Sequence, residues 1–235
     1  EITYGDWSSD VCSSDLMIIA IDGPAASGKS TTAKGVSRIL RIPYLDTGSM
    51  YRAITHIVIT KNIDITQPVE LKILLSDIQI RFEIVNGENC IFINNENVSS
   101  LIRSTEVTLF VSAVSAIPEI RKSMVELQRA IGKENGCVIE GRDIGTVVFP
   151  NADYKFFLVA DVKVRAERRL VDLEKLGETK SLDDLMFEIE KRDLLDSSRE
   201  HSPLRQAKDA IEIDTSLLSI SEQIEKIVKH ITNKE

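Results

Sequence analysis

Met17-Ile18-Ile19-Ala20-Ile21 is a short, unbroken apolar run that ends in a glycine turn, the pattern of a strand buried on both faces. Val36, Ile39 and Leu40 then recur at helical spacing. They predict a helix from about Gly28 to Leu40 that Pro43 ends. Tyr44-Leu45-Asp46 reads as a short strand, followed by a turn and a second helix through about Lys61, with Thr47 or Ser49 as its cap. The character changes over residues 63–103. Asp77 to Ile84 alternates polar and apolar, Asn86-Gly87 is a hairpin signal, Cys90 to Ile93 is a second strand, and Asn97-Val98 begins a third. A helix is expected from Ser104 to Ile117. Another starts at Pro118, which suits a first helical turn, and runs to about Lys133. Gly136 to Glu140 and Lys155 to Val159 are buried-type strands. A basic helix with Arg165, Arg168 and Arg169 follows, then a helix opened by Ser181 that runs toward Arg199. Ala210 to Asp214 is a last strand, and Ser219 caps a final amphipathic helix. Strands alternating with helices imply an α/β fold, with a parallel sheet covered by helices on both faces and a small antiparallel insert at about 63–103.

The first strand leads into Gly23-Pro24-Ala25-Ala26-Ser27-Gly28-Lys29-Ser30, followed by Thr31. This is the P-loop pattern in its required strand–loop–helix setting. Glycines let the backbone curl so that its N–H groups face phosphate oxygens, and the helix adds the positive end of its dipole. Lys29 can reach the outer phosphates and the Ser30 hydroxyl can ligate Mg²⁺. The expected fold is therefore that of a P-loop NTPase that binds a nucleoside triphosphate with Mg²⁺.

Composition narrows the partners. The 235 residues are 43% hydrophobic and 28% charged, ordinary globular usage for one domain or two. A net charge of −8 argues against a nucleic-acid polymer or a membrane surface as partner. No apolar run approaches a membrane span. Cys12, Cys90 and Cys137 form no metal-ligand or disulfide pattern, which favours a reducing, cytoplasmic setting. Residues 1–16 are polar, aperiodic and unlike a signal peptide, and are read as an extraneous or disordered leader. Residues 17–235 then form the P-loop domain. A monomer is the default expectation, since no oligomerisation stripe stands out. His56, His201 and His230 sit in no catalytic pattern and are assigned to surface or helix packing.

Phosphoryl transfer between nucleotides must neutralise roughly four to six negative charges, at one or two per phosphate, and arginine forks suit that task. Arg142 and Asp143 follow a buried-type strand, where α/β sheets place ligands; spacing leaves them open between a site and a connection. Arg192, Asp196 and Arg199 share a helix face, as do Arg165, Arg168 and Arg169. On spacing alone both helical sets read as solvated faces with weak ion pairs.

From about Met17 onward the chain resembles the bacterial cytidylate kinases, a family of nucleoside monophosphate kinases. The resemblance is carried by Ile21-Asp22-Gly23-Pro24 with the P-loop, Leu45 to Arg52, Glu140 to Pro150, Lys191-Arg192-Asp193 and Ile213-Asp214-Thr215. It implies transfer of a phosphoryl group from ATP to CMP or dCMP. By the resemblance Arg52, Arg142 and Arg199 would hold the acceptor phosphate, and Thr47, Ser112, Arg121 and Asp143 would surround the cytosine. Asp196, helped by Arg192, would take the sugar hydroxyls. Arg168 and Arg169 would lie near a short lid, about 165–180, that closes over ATP. Lys29, Arg142, Arg199 and Arg168 would be the catalytic cations. Asp143 could accept the exocyclic amine of cytosine, where uracil presents a carbonyl. Kinases for UMP, dTMP or shikimate remain alternatives, as does a nucleotide-binding module; a guanine-reading N-K-x-D run is missing.

Overall fold

A computed structural model describes residues 16–175 and 177–233. The leader expected at 1–16 lies, except for Leu16, outside the described residues. The chain divides into two compact units, residues 16–46 with 129–233 and residues 47–128, with the division inside one long helix.

The larger unit is built on a parallel sheet of β1 (Ile18–Asp22), β2 (Tyr44–Asp46), β6 (Cys137–Gly141), β7 (Tyr154–Val159) and β8 (Ile211–Asp214), in the order β2-β6-β1-β7-β8. Every residue of β1 and β6 is buried, as expected for apolar strands covered on both faces. Register is continuous from Ile18 opposite Cys137 to Asp22 opposite Gly141, so the ends of β1 and β6 lie side by side. Ile19, Ile21, Val138, Phe156 and Leu158 pack against Ala33 and Val36 of α1 (Lys29–Leu40) and Ile227 and Ile231 of α8 (Ile220–Thr232). Each large side chain buried there contributes about 1.5–3 kcal/mol. The expected box at Ser219 is present: its Oγ accepts the Glu222 N–H while Glu222 accepts the Ser219 N–H. Helices α6 (Val162–Lys175) and α7 (Leu182–Ser198) pair through Ala166, Leu173, Leu185 and Ile189. Ser181 caps α7.

The smaller unit holds α2 (Thr47–Thr60), α3 (Pro68–Asp77), the antiparallel sheet β3 (Ile80–Val85), β4 (Glu88–Ile93) and β5 (Glu96–Asn97), α4 (Thr105–Ala116) and the start of α5 (Pro118–Asn135). Asn86 and Gly87 both have positive φ, 53° and 81°, the geometry of a tight hairpin turn whose twist suits its strands. Three local expectations change. Asp77 ends a helix rather than starting a strand, because Pro68 opens α3 at its first turn. No turn separates Asp46 from α2; the helix begins at Thr47, so Thr47 and Ser49 lie within its first turn. Arg199 lies beyond the end of α7 in extended backbone, so helical spacing does not place it. Among the described residues no helix is long and apolar enough to cross a membrane.

Candidate active site

In the larger unit, the P-loop owes its path to glycine. Gly23 has φ +149°, and a Cβ there would stand 2.2 Å from the Leu158 carbonyl oxygen. Gly28, at φ +92°, is the cap residue of α1 and offers no side-chain acceptor. The first N–H groups of the helix thus have no side-chain cap from it, and an anion is their natural partner. Lys29 is buried; its Nζ donates to the Pro24 carbonyl at 2.5 Å and to Ser27 Oγ at 3.3 Å. Burial lowers the Lys29 pKa, and Arg142 and Arg192 push the same way against Glu140 and Asp193. Ser30 and Thr31 are exposed at the start of α1.

Three side chains, buried Arg165 and Thr215 and half-buried Asp193, hold the loop from behind. Asp193 Oδ1 accepts the Ala25 N–H at 2.9 Å, and its Oδ2 pairs with Arg165, whose Nη1 also donates to the Ala25 carbonyl at 3.1 Å. Thr215 Oγ1 donates to the Ser27 carbonyl at 3.1 Å. Arg165 is therefore a buried anchor and not part of a solvated face. Arg168, expected near ATP, donates to the Thr215 carbonyl at 2.5 Å and to its hydroxyl at 3.1 Å.

Beside the loop, the Tyr44 hydroxyl donates to Glu140 Oε1 at 2.5 Å. Burial and the nearby Glu140 carboxylate push the Tyr44 phenol well above its ordinary pKa, so it stays a donor. Ser30 lies close enough to both groups to lower the pKa of each. Mg²⁺ takes hard oxygen ligands and keeps several waters, using one or two carboxylates plus substrate phosphates. A hydroxyl and a carboxylate at the start of α1 fit that ion when it arrives with a triphosphate. Among the described residues, no group of three or more His, Cys, Asp or Glu could hold a metal unaided.

The end of β6 and α7 bring together five of the expected residues. Arg142 Nε donates to Asp196 Oδ2 at 2.9 Å, and Arg199 lies 3.9 Å from Asp143 and 4.0 Å from Asp196. Arg192 is close enough to Arg142 and Asp196 to feel both. Burial would raise the Asp196 carboxyl, but Arg142, Arg192 and Arg199 outweigh it and hold the pKa below the ordinary value. Burial works against the Arg142 cation, yet Asp196, Asp193 and Glu140 keep its pKa raised. Arg192 fares worse: burial first, then Arg142, pulls it down to about 10, and its Nε is buried with no hydrogen-bond partner. Lys29 and Arg192 are thus both lowered by burial and by Arg142, while the surrounding carboxylates keep Arg142 charged.

In the smaller unit, Thr47 is buried at the start of α2. Arg52 Nη1 donates to Thr108 Oγ1 at 2.8 Å and to the Ile102 carbonyl at 3.2 Å. Ser112 is buried one turn beyond Thr108 on α4. Arg121, also buried, donates to the Ser115 carbonyl at 3.0 Å and lays its guanidinium 5.1 Å from the centre of the Tyr51 ring. Arg52 and Arg121 thus tie α2, α4 and α5 together, and Thr47 and Ser112 are buried on two of the same helices. His230 packs edge-on against Tyr154 and Phe156, a helix-packing role as expected.

Asp22, Tyr44, Glu140, Arg165, Asp193 and Thr215 gained no role from the sequence. Asp22, Glu140, Asp193 and Thr215 stand inside the recognisable motifs, which was the available signal.

A parallel sheet with a phosphate loop after its central strand, and a loop lysine near half-buried arginines, defines a P-loop NTPase fold with a kinase-type site. The profile of the cytidylate kinase family matches residues 19–233. The chain belongs to the cytidylate kinase family, and is a nucleoside monophosphate kinase. It is 51% identical over 211 residues to the cytidylate kinase of Listeria innocua, covering 89% of this chain and 93% of that one. It is 45% identical over 218 residues to that of Halalkalibacterium halodurans, covering 93% and 98%. A crystal structure of an uncharacterized protein from Eubacterium ventriosum shares the fold, with TM-score 0.51 at 14% identity over 93% of this chain and 99% of the other.

Proposed function

We propose that this kinase transfers the γ-phosphoryl group of ATP to CMP, and to dCMP as a second acceptor, in the cytoplasm. The observation that carries the reading is the placing of Arg142 and Arg192 close to the P-loop Lys29, where burial and mutual repulsion lower the Lys29 and Arg192 pKa values while carboxylates keep Arg142 charged, an arrangement that phosphate would relieve. The names of the curated relatives support CMP as the acceptor.

A CMP phosphate oxygen attacks the γ-phosphorus in line; the bond from that phosphorus to the bridging oxygen breaks, giving ADP and CDP. The attacking oxygen is already largely ionised near neutral pH, so no strong base is needed. Lys29 leaves Pro24 and Ser27 for the outer phosphates. Arg142 and Arg199 hold the acceptor phosphate, as does Arg52. Asp196 with Arg192 takes the sugar hydroxyls. Thr47, Ser112, Arg121 and Asp143 read the base, Asp143 accepting the exocyclic amine. Ser30, with Glu140 behind it, would hold Mg²⁺, which when bound offsets charge on the β- and γ-phosphates. Arg165 and Arg168 are fastened to the chain around Ala25 and at Thr215, so we place the closing lid segment after Arg169.

The reading is tested by ADP release from purified protein with ATP, Mg²⁺ and each monophosphate in turn. Rapid release with CMP and dCMP alone supports it. A preference for another monophosphate would keep the kinase and discard the base contacts.

A further inference from the structure

The segment that follows Arg142 and Asp143 is gripped at both ends by a two-pronged side chain. At its start, Asp22 Oδ1 accepts the Ile144 N–H at 2.9 Å and Oδ2 accepts the Gly145 N–H at 2.7 Å. At its end, Arg129 Nε donates to the Val148 carbonyl at 2.9 Å and Nη2 to the Val147 carbonyl at 2.6 Å. Between them residues 143–149 form a widened helical turn. The Val148 and Phe149 N–H groups reach back five residues, to the Asp143 and Ile144 carbonyls, at 3.2 and 2.7 Å. Turns of this width are rare and recur at functional sites. The fit is close: a Cβ on Gly145 would stand 3.4 Å from Asp22 Oδ2 and 3.2 Å from Lys155 Cδ.

The Asp143 carbonyl accepts from both Val147, at 2.8 Å, and Val148. The backbone that aims the Asp143 side chain is therefore the first residue of the clamped turn. Asp22 belongs to β1, directly before the P-loop, and Arg129 belongs to α5. We infer that Arg129 and Asp22 are positioning residues for acceptor selection: they hold the turn from which Arg142 and Asp143 meet the monophosphate. The inference rests on the reading that Asp143 contacts the base. Neither residue need touch substrate. A turn released at one end lets the peptide at Asp143 rotate, and a displacement of about 1 Å at a positioned group can cost on the order of a hundredfold in rate.

Arg129→Lys is the discriminating variant. It keeps charge and stem but loses the fork that spans two carbonyls. By the same sensitivity to position we expect the KM for CMP to rise about tenfold and the preference for CMP over UMP to fall by a similar factor, with the Kd for ATP changed less than about twofold. The preference is a ratio of kcat/KM values, so loss of folded protein alone does not move it. Asp22→Asn keeps one of two acceptors and adjoins Gly23, so it is expected to weaken ATP and CMP together. Should Arg129→Lys fold poorly by thermal denaturation, Arg129→Gln retains a side-chain donor and serves the same comparison. An unchanged CMP-to-UMP ratio in a folded Arg129 variant overturns the inference. Asp143→Asn separates the two readings. If it collapses the ratio while Arg129 variants do not, only the positioning role falls. If it leaves the ratio intact, the base contact falls and the inference with it.

Discussion

Asp193 on α7 accepts the backbone N–H of Ala25 in the P-loop at 2.9 Å, while Arg165 on α6 takes the carbonyl of the same residue at 3.1 Å. The two side chains also pair with each other, and both are largely buried. One residue of the loop that meets ATP is thus held on both its polar groups by the helical pair α6 and α7, and α7 also carries Arg192 and Asp196.

Removing one partner leaves the other charge buried and unpaired. Asp193→Ala is expected to cost about 3 kcal/mol of unfolding free energy. Urea denaturation gives the number. Replacing Asp193 and Arg165 together by apolar residues of similar volume should return much of that loss while ATP binding stays weak. A single variant as stable as wild type would mean the pair does not hold the loop.

Lys29 is lowered by burial and by neighbouring arginines, so part of it is neutral in the free enzyme near and above neutral pH. Triphosphate favours the cation, raises the pKa back and therefore takes up protons. Calorimetry of ATP binding at pH 8, in buffers of different ionisation enthalpy, should show proton uptake that disappears in Lys29→Ala. That variant should also lose turnover by a factor of about a hundred or more, since a lost charge contact to the transferring group costs several kcal/mol, while its thermal unfolding stays cooperative. Turnover near wild type would remove Lys29 from the phosphate site.

Asp143→Asn replaces an acceptor-only carboxylate by an amide that also donates, and an amide can pair with the carbonyl of uracil. Competition kinetics should show the preference for CMP over UMP reduced by about tenfold or more, the scale of one good base contact. A ratio within error of wild type would take Asp143 out of base recognition.

Burial pushes the Cys137 thiol up to about 12. The thiolate is the reactive form, so Cys137 should resist iodoacetamide at pH 8 in the native protein and react quickly in denaturant. Peptide mapping by mass spectrometry reads this directly. Rapid native labelling of Cys137 would contradict the packing of β6.

How far the sequence speaks depends on whether the signal is local. The strand Ile18–Asp22, the glycines of the P-loop and the Asn86-Gly87 turn declare themselves within a few residues, because period, φ and apolar run are local properties. Pro68 was an equally local sign of α3, but the mixed apolar pattern after it hid the helix. The clamp on Ala25 joins residues 168 positions apart, and no spacing rule connects such residues. Arg165 looked like one member of an exposed basic stripe, yet burial makes it an anchor. Arg199 reaches Asp143 and Asp196 after its helix has ended, so the helical spacing that groups it with Asp196 is not the route the chain takes. Asp193 and Thr215 were visible as motif letters, and their work appeared only when the loop they grip was in place.

Acceptor-dependent phosphoryl transfer to a cytosine monophosphate is read by coupled ADP release. With ATP and Mg²⁺ fixed, release should be fast with CMP and dCMP, slow with UMP, and almost absent without an acceptor. Release that does not depend on the acceptor, or is as fast with UMP as with CMP, would contradict it.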